Sequence, residues 1–95
     1  MSVYAVFNVK VLDPEAYKPY SQAVPALIAK AGGKYLARGG DVAVLEGEPD
    51  LKRVVILEFP SEAAFRSWYD SDEYKPYQGM RERLTRSTAY LVAGI

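Results

Sequence analysis

Ninety-five residues make one domain with a small core, and 49% apolar with 25% charged residues is ordinary globular composition. Lys plus Arg equals Asp plus Glu at 12 each, which leaves no basic excess for a nucleic-acid partner, and no stretch is apolar for long enough to span a bilayer. Cys and His are both absent, which excludes disulfides, thiol chemistry, conventional zinc, copper or haem ligation by this chain, and the usual general base near neutral pH.

The opening stretch "MSVYAVFNVK" lacks a basic n-region and passes straight into a strand pattern over Val3 to Val9. No secretory leader is therefore expected, and the cytoplasm is the default. "DPEAY" predicts a helix start, with Asp13 as N-cap and Pro14 at the first helical position. Tyr17, Tyr20, Val24, Leu27, Ile28 and Ala31 follow at helical spacing, and Gly32-Gly33 ends the helix. Pro19 and Pro25 each remove a backbone donor and predict an early break or a kink. "KYLAR" begins a second strand, which Gly39-Gly40-Asp41 interrupts as a bulge or bend and "VAVLE" continues. "GEPDLKR" is a turn and Val54 to Phe59 a third strand. Ser61 caps a second helix with Phe65, Trp68 and Tyr69 on one face. "DSDEY" breaks that helix and starts another through about Leu84, and "TAYLVAG" is the last strand.

The order β-α-β-β-α-β predicts an α+β, ferredoxin-like protomer, an antiparallel sheet with helices on one face. The third strand is expected beside the first and running the same way. All four strands are apolar on nearly every residue, although a sheet with one wet face should alternate. Both faces therefore want cover, and a second copy packed sheet to sheet in a symmetric homodimer supplies it. Tyr-Lys-Pro-Tyr occurs at 17–20 and again at 74–77, at places that do not correspond in the two half-repeats. The match reads as coincidence, each tyrosine pair packing its own helix on the sheet.

The stretches "GGKYLARGG" and "VVILEFPSEAAFRSWYDSDEY", followed by Arg81, carry a linked pattern. It runs Glu58-Phe59-Pro60-Ser61, Trp68-Tyr69, Ser71, Glu73-Tyr74, Arg81. Over essentially the whole chain this resembles the domain-of-unknown-function family 1330, of the dimeric α+β barrel superfamily. The resemblance implies a ferredoxin-like protomer paired sheet to sheet in a homodimer, and no established reaction. Relatives in that superfamily include cofactor-free monooxygenases, muconolactone-type isomerases and haem-using enzymes. The lack of His sets this chain apart from the last group.

Arg81 is the leading candidate for chemistry. On a helical wheel it falls between Tyr74 and Tyr77, a permanent cation on a mostly aromatic face. A guanidinium there anchors a carboxylate or enolate at a pocket edge, or else tethers helix to strand as an ion pair or snorkelling side chain. Glu58, at the end of an apolar strand, is a base with a raised pKa, or a carboxylate paired with Arg81 or Arg38, or one capping the following turn through Ser61. Asn8 is expected at a similar level near the end of the first strand. Arg38 is expected near Glu58, as a second anion-binding group or in a salt bridge. Trp68, Tyr69, Ser71 and Tyr74 cluster around a helix break. They line a site for an apolar or aromatic ligand, or else they pack the second helix with Ser71 as an N-cap. Gly39-Gly40 lacks the spacing of a phosphate loop, and Asp70 with Asp72 punctuates the helix without forming a metal site.

Two functions stay open on these residues. One is a homodimer that binds or transforms a small acidic or aromatic metabolite without metal or haem. There Arg81 holds the anion, Glu58 accepts a proton, and Tyr69 or Tyr74 donates a hydrogen bond. The other is a non-catalytic dimerisation or binding module.

Overall fold

A computed structural model describes residues 1–95. Its elements are β1 (Val3–Val11), α1 (Pro14–Lys30), β2 (Lys34–Arg38), β3 (Arg53–Phe59), α2 (Glu62–Tyr69), α3 (Lys75–Leu84) and β4 (Thr85–Ala93). The sheet has four strands in the order β2-β3-β1-β4, every neighbouring pair antiparallel. This corrects the expected direction of β3. The α1 crossover carries the chain from β1 to β2 in the same sense, and β3 returns between them, so it runs against both. Tyr4 therefore faces Glu58 and Asn8 faces Val54, which puts Asn8 and Glu58 at opposite ends of the pair.

The caps form where their chemistry predicts. Asp13 Oδ1 accepts from the Ala16 N–H at 3.2 Å, and Ser61 Oγ accepts from the Ala64 N–H at 3.1 Å. Helix α1 is unbroken through Pro19 and Pro25, contrary to the expected break. Each proline frees the carbonyl four residues before it, those of Glu15 and Ser21. Glu15 is exposed to solvent, and the Ser21 carbonyl accepts from Arg38 Nη2 at 3.2 Å. The proline thus gives the helix flank a carbonyl that a neighbouring strand uses.

The segment "VAVLE" is not a strand. β2 ends at Arg38, and Val42, Val44 and Leu45 are exposed. Gly39 takes φ +74, which turns the chain off the sheet, and β3 begins only at Arg53. Asn8 then pins the returning chain, donating to the Asp50 carbonyl at 2.9 Å and accepting from the Lys52 N–H at 2.8 Å.

The core lies between the sheet and the helices. Val3, Ala5, Phe7 and Val9 of β1 and Leu57 and Phe59 of β3 meet Val24 and Ile28 of α1, Phe65 and Trp68 of α2, and Tyr74. On the opposite sheet face Tyr4, Val6, Val54 and Ile56 are half-buried, and Tyr90 and Val92 are exposed. No helix is long and apolar enough to cross a membrane.

Candidate functional site

A cleft opens between α1 and the helix-side face of the sheet. Phe7 and Val9 of β1 and Val55 and Leu57 of β3 form its apolar floor. Tyr17 and Tyr20 of α1 and Tyr35 of β2 are its aromatic walls, and Trp68 closes one end. Arg38, Arg53 and Arg81 are its charges, and no carboxylate lines it. Its free volume is about 50 Å³, room for a few waters or a small polar head group.

The three arginines differ in depth. Arg38 and Arg53 are exposed at the mouth, whereas Arg81 is 7% exposed. None of them makes an ion pair. Arg38 lies over the Tyr35 ring at 4.6 Å, and Arg81 lies 5.3 Å from the Phe7 ring centre. Arg81 Nε donates to the Tyr74 hydroxyl at 3.4 Å. Burial works against the Arg81 charge, but the neighbouring Tyr74 hydroxyl, followed by those of Tyr20 and Tyr69, more than offsets it, and the net shift is upward. Arg81 is therefore a lasting buried cation without an anion, an arrangement that costs stability unless a ligand completes it.

The Tyr-Lys-Pro-Tyr copies meet here, a correction to the coincidence reading. Tyr17 stacks on Tyr20 at 4.7 Å, and the Tyr20 and Tyr74 hydroxyls lie 2.6 Å apart. The motifs occupy different places in their half-repeats, but α1 packs beside α3, so the last tyrosine of one copy touches the first of the other. Burial pushes Tyr17 up to about 12 and raises Tyr20, Tyr35 and Tyr74 as well. These hydroxyls are hydrogen-bond donors and acceptors near neutral pH, not bases.

Trp68 is buried at 2% exposure, and its Nε1–H has no partner, the sole buried side-chain nitrogen or oxygen left so. A buried donor without an acceptor forfeits about 1–3 kcal/mol. The Trp68 ring stands in the wall of the same cleft as the three arginines and also borders a second hollow beside Leu27 and Ser71.

Of the expected site residues, the structure brings Arg38, Arg81 and Trp68 together in the cleft, with Tyr74 directly behind Arg81. The other four lie elsewhere. Glu58 meets Lys34 at 3.1 Å rather than Arg38 or Arg81. The start of β2 meets the end of β3, and Arg38 is at the other end of β2, opposite Val55. Hydrogen bonding to Lys34 holds the Glu58 carboxyl below its ordinary value, opposite to the raised pKa of a base. Its stabilising contribution is present above the unfolded glutamate range and is lost as pH falls through the lowered value. Asn8 serves the loop clamp described above. Ser71 Oγ accepts from the Tyr74 N–H at 3.1 Å and donates to the Trp68 carbonyl at 2.7 Å, bracing the turn before α3. Tyr69 stacks on Phe65 at 5.1 Å and faces a different surface hollow, beside Tyr90 and Leu91.

No curated protein matches the chain. The profile of the domain of unknown function DUF1330 matches residues 2–95. The chain belongs to the DUF1330 family. Among solved structures, a protein of unknown function from Rhodopseudomonas palustris superposes with a TM-score of 0.80 at 21% identity, covering 99% of this chain and 82% of that one. A variant of SnoaB, a cofactor-independent oxygenase from Streptomyces nogalater, superposes with a TM-score of 0.70 at 19% identity, covering 98% and 92%. An antibiotic biosynthesis monooxygenase follows at 0.52 and 17% identity, covering 100% and 99%. At these identities the likeness is one of fold alone.

Four cleft residues of this DUF1330 chain are not among the expected site residues: Tyr17, Tyr20, Tyr35 and Arg53. The helical spacing that sets Tyr17 and Tyr20 on the apolar face of α1 was signal enough for them, read as packing. Tyr35 and Arg38 are three residues apart, which puts them on opposite faces of a regular strand. The ladder slips between Tyr35 and Ala37, and this bulge turns both into the cleft.

Proposed function

We propose that this DUF1330 chain acts as a homodimeric α+β barrel protein that holds a small acidic, aromatic metabolite by its anionic head, without metal or haem. The observation that carries the reading is the buried Arg81, in a cleft with two further arginines and no carboxylate. Guanidinium offers a planar fork matched to carboxylate or enolate oxygens, and the apolar floor and tyrosine walls suit a ring. The free volume of about 50 Å³ fits the head group, which leaves the ring at the mouth between Tyr17 and Tyr35.

The cleft holds donors and cations but no carboxylate and no residue with a pKa suited to a base. The ligand therefore arrives already ionised, and binding is the activity that the side chains support best. Cofactor-independent oxygenation of the bound anion is the second reading. It is favoured by the fold shared with the oxygenase SnoaB, since donors that stabilise an enolate or phenolate also keep it in its reactive form.

Melting temperature tests the binding reading. Millimolar benzoate is expected to raise it by binding linkage, roughly 2.7 kcal/mol at a hundred times Kd, whereas benzamide, the same shape without charge, leaves it unchanged. Equal shifts with both, or none with benzoate, would remove the anion site.

The dimer is carried by the uncovered sheet face, where Val6 pairs across to Ile56 on one side and Tyr90 on the other. Light scattering is expected to give twice the 10.6 kDa chain mass. Val6→Asp places a charge in the middle of that face and is expected to yield the monomer. A monomeric wild type at micromolar concentration contradicts this part.

A further inference from the structure

The hydroxyl pair in the cleft wall has a direction. Arg81 Nε–H can only donate, so the Tyr74 oxygen accepts from it. Tyr74 is 0% exposed, and its hydroxyl has a second neighbour, the Tyr20 oxygen at 2.6 Å. Were Tyr20 the donor, the Tyr74 proton would be buried with no acceptor, and that is the costly arrangement. The proton of Tyr74 therefore goes to Tyr20, and the Tyr20 proton is left over. Tyr20 lines the cleft, half-buried, and besides Tyr74 the Tyr17 hydroxyl is the neighbour that can share that proton until a stronger acceptor enters.

We infer that Tyr20 is the residue that donates a hydrogen bond to the oxygen of the bound anion, with Tyr74 and Arg81 ordering and polarising it from behind. This deepens the binding reading above and rests on it. Arg81 spends Nε on Tyr74, and its two Nη groups have no other hydrogen-bond partner. The chain Arg81 to Tyr74 to Tyr20 ends at the cleft as one more donor beside that fork. Hydrogen bonds in series strengthen one another in a medium of low dielectric. Burial, with the Tyr74 hydroxyl beside it, also raises Tyr20 far above the ordinary tyrosine range, so it stays protonated.

The ligand class follows from the complement. The Arg81 fork and the Trp68 indole N–H are donors left without acceptors, and the Tyr20 hydroxyl has only neutral hydroxyls beside it. The head they accept has lone pairs and no proton: a carboxylate, or the oxygen of a phenolate or enolate. An amide or a protonated acid wastes one of these donors and is selected against. Tyr20 is thus a ligand-contacting group, and Tyr74 is a positioning residue.

The probe is 4-nitrophenol, whose phenolate absorbs in the visible and whose neutral form does not. The wild type is expected to bind the phenolate in preference, so that the probe ionises below its free pKa. Tyr20→Phe keeps the ring stack on Tyr17 and the Arg81 charge. It is expected to bind about tenfold more weakly or worse, with a smaller ionisation shift. Tyr74→Phe is expected to lose less than Tyr20→Phe. Added to Tyr20→Phe it is expected to cost no more, because its effect passes through the missing hydroxyl. Each variant's melting temperature controls for folding, and the ionisation of the bound probe is a readout that packing alone does not move. If Tyr20→Phe matches the wild type in affinity and ionisation, or if the two losses add in full, the relay is wrong while the anion site stands. If the wild type binds no phenolate, the anion site fails and the relay with it.

Discussion

Arg81→Met is expected to weaken anion binding at least roughly tenfold while leaving the melting temperature unchanged or higher. A buried guanidinium with no carboxylate carries a desolvation cost of several kcal/mol. In this chain it recovers part of that through the Phe7 ring at 5.3 Å and one long hydrogen bond of 3.4 Å to Tyr74. Methionine fills similar volume with a flexible apolar side chain. The substitution strands no partner, because the Tyr74 hydroxyl keeps its bond to Tyr20. The expected stability change lies between about 0 and +2 kcal/mol, by analogy with buried charges replaced by apolar side chains. That corresponds to a rise of up to roughly 10 °C for a domain of this size. Binding moves the other way: hydrogen bonds to a charged head are worth about 1.5–3 kcal/mol, so affinity for benzoate falls roughly ten- to hundredfold or more. Thermal melts with calorimetric titration of both proteins check the pair of effects. A large drop in melting temperature with benzoate affinity intact would assign Arg81 to the fold instead.

Phe59→Ala is expected to produce the largest loss of stability in the chain. Phe59 is 0% exposed, stacked on Trp68 at 5.8 Å and set edge-on to Phe65 at 5.4 Å. Its ring also fills the space that Gly33 leaves open, where a Cβ would come within 2.5 Å of it. Removing a buried phenylalanine costs about 3–5 kcal/mol through lost transfer energy and an unfilled cavity. Against a total of about 5–15 kcal/mol this is a large share, and the melting temperature is expected to fall by roughly 15–30 °C. Trp68 would lose its stacking partner, so ligand affinity at the cleft is expected to drop in the protein that remains folded. Urea unfolding measures the change. A loss under about 1 kcal/mol would contradict the packing described.

Most of the fold was legible in local chemistry. Asp13-Pro14 and Ser61 are helix starts by hydrogen-bond capacity alone, and Gly32-Gly33 is a stop. What misled was non-local. The prolines of α1 signal a break only if their freed carbonyls go unpaired, and Arg38, seventeen residues after Ser21, supplies the partner. "VAVLE" has the composition of a strand, but a strand also needs a neighbour, and β3 begins only at Arg53. The direction of β3 was derivable from the crossover rule, and from it the pairing of Lys34, rather than Arg38, with Glu58.

The site was legible where residue type alone carries meaning. Arg81 on an aromatic helical face pointed to the cleft, and Trp68 to its wall. Tyr35 with Arg38 depended on a bulge that no residue in "KYLAR" announces, and Arg53 reaches the cleft only through the strand pairing. Tyr20 and Tyr74 became one feature only when α1 and α3 were packed together, because their identical motifs sit out of phase in the sequence.

Trp68 is the sole tryptophan, so one indole N–H resonance reports on the cleft. Titrating 15N-labelled wild type with benzoate while following that resonance tests the anion site most directly. The reading predicts a saturable displacement of the indole signal as its unpartnered N–H gains an acceptor, with no displacement by benzamide. An indole signal that stays fixed to saturating benzoate, or that moves equally with benzamide, would contradict it.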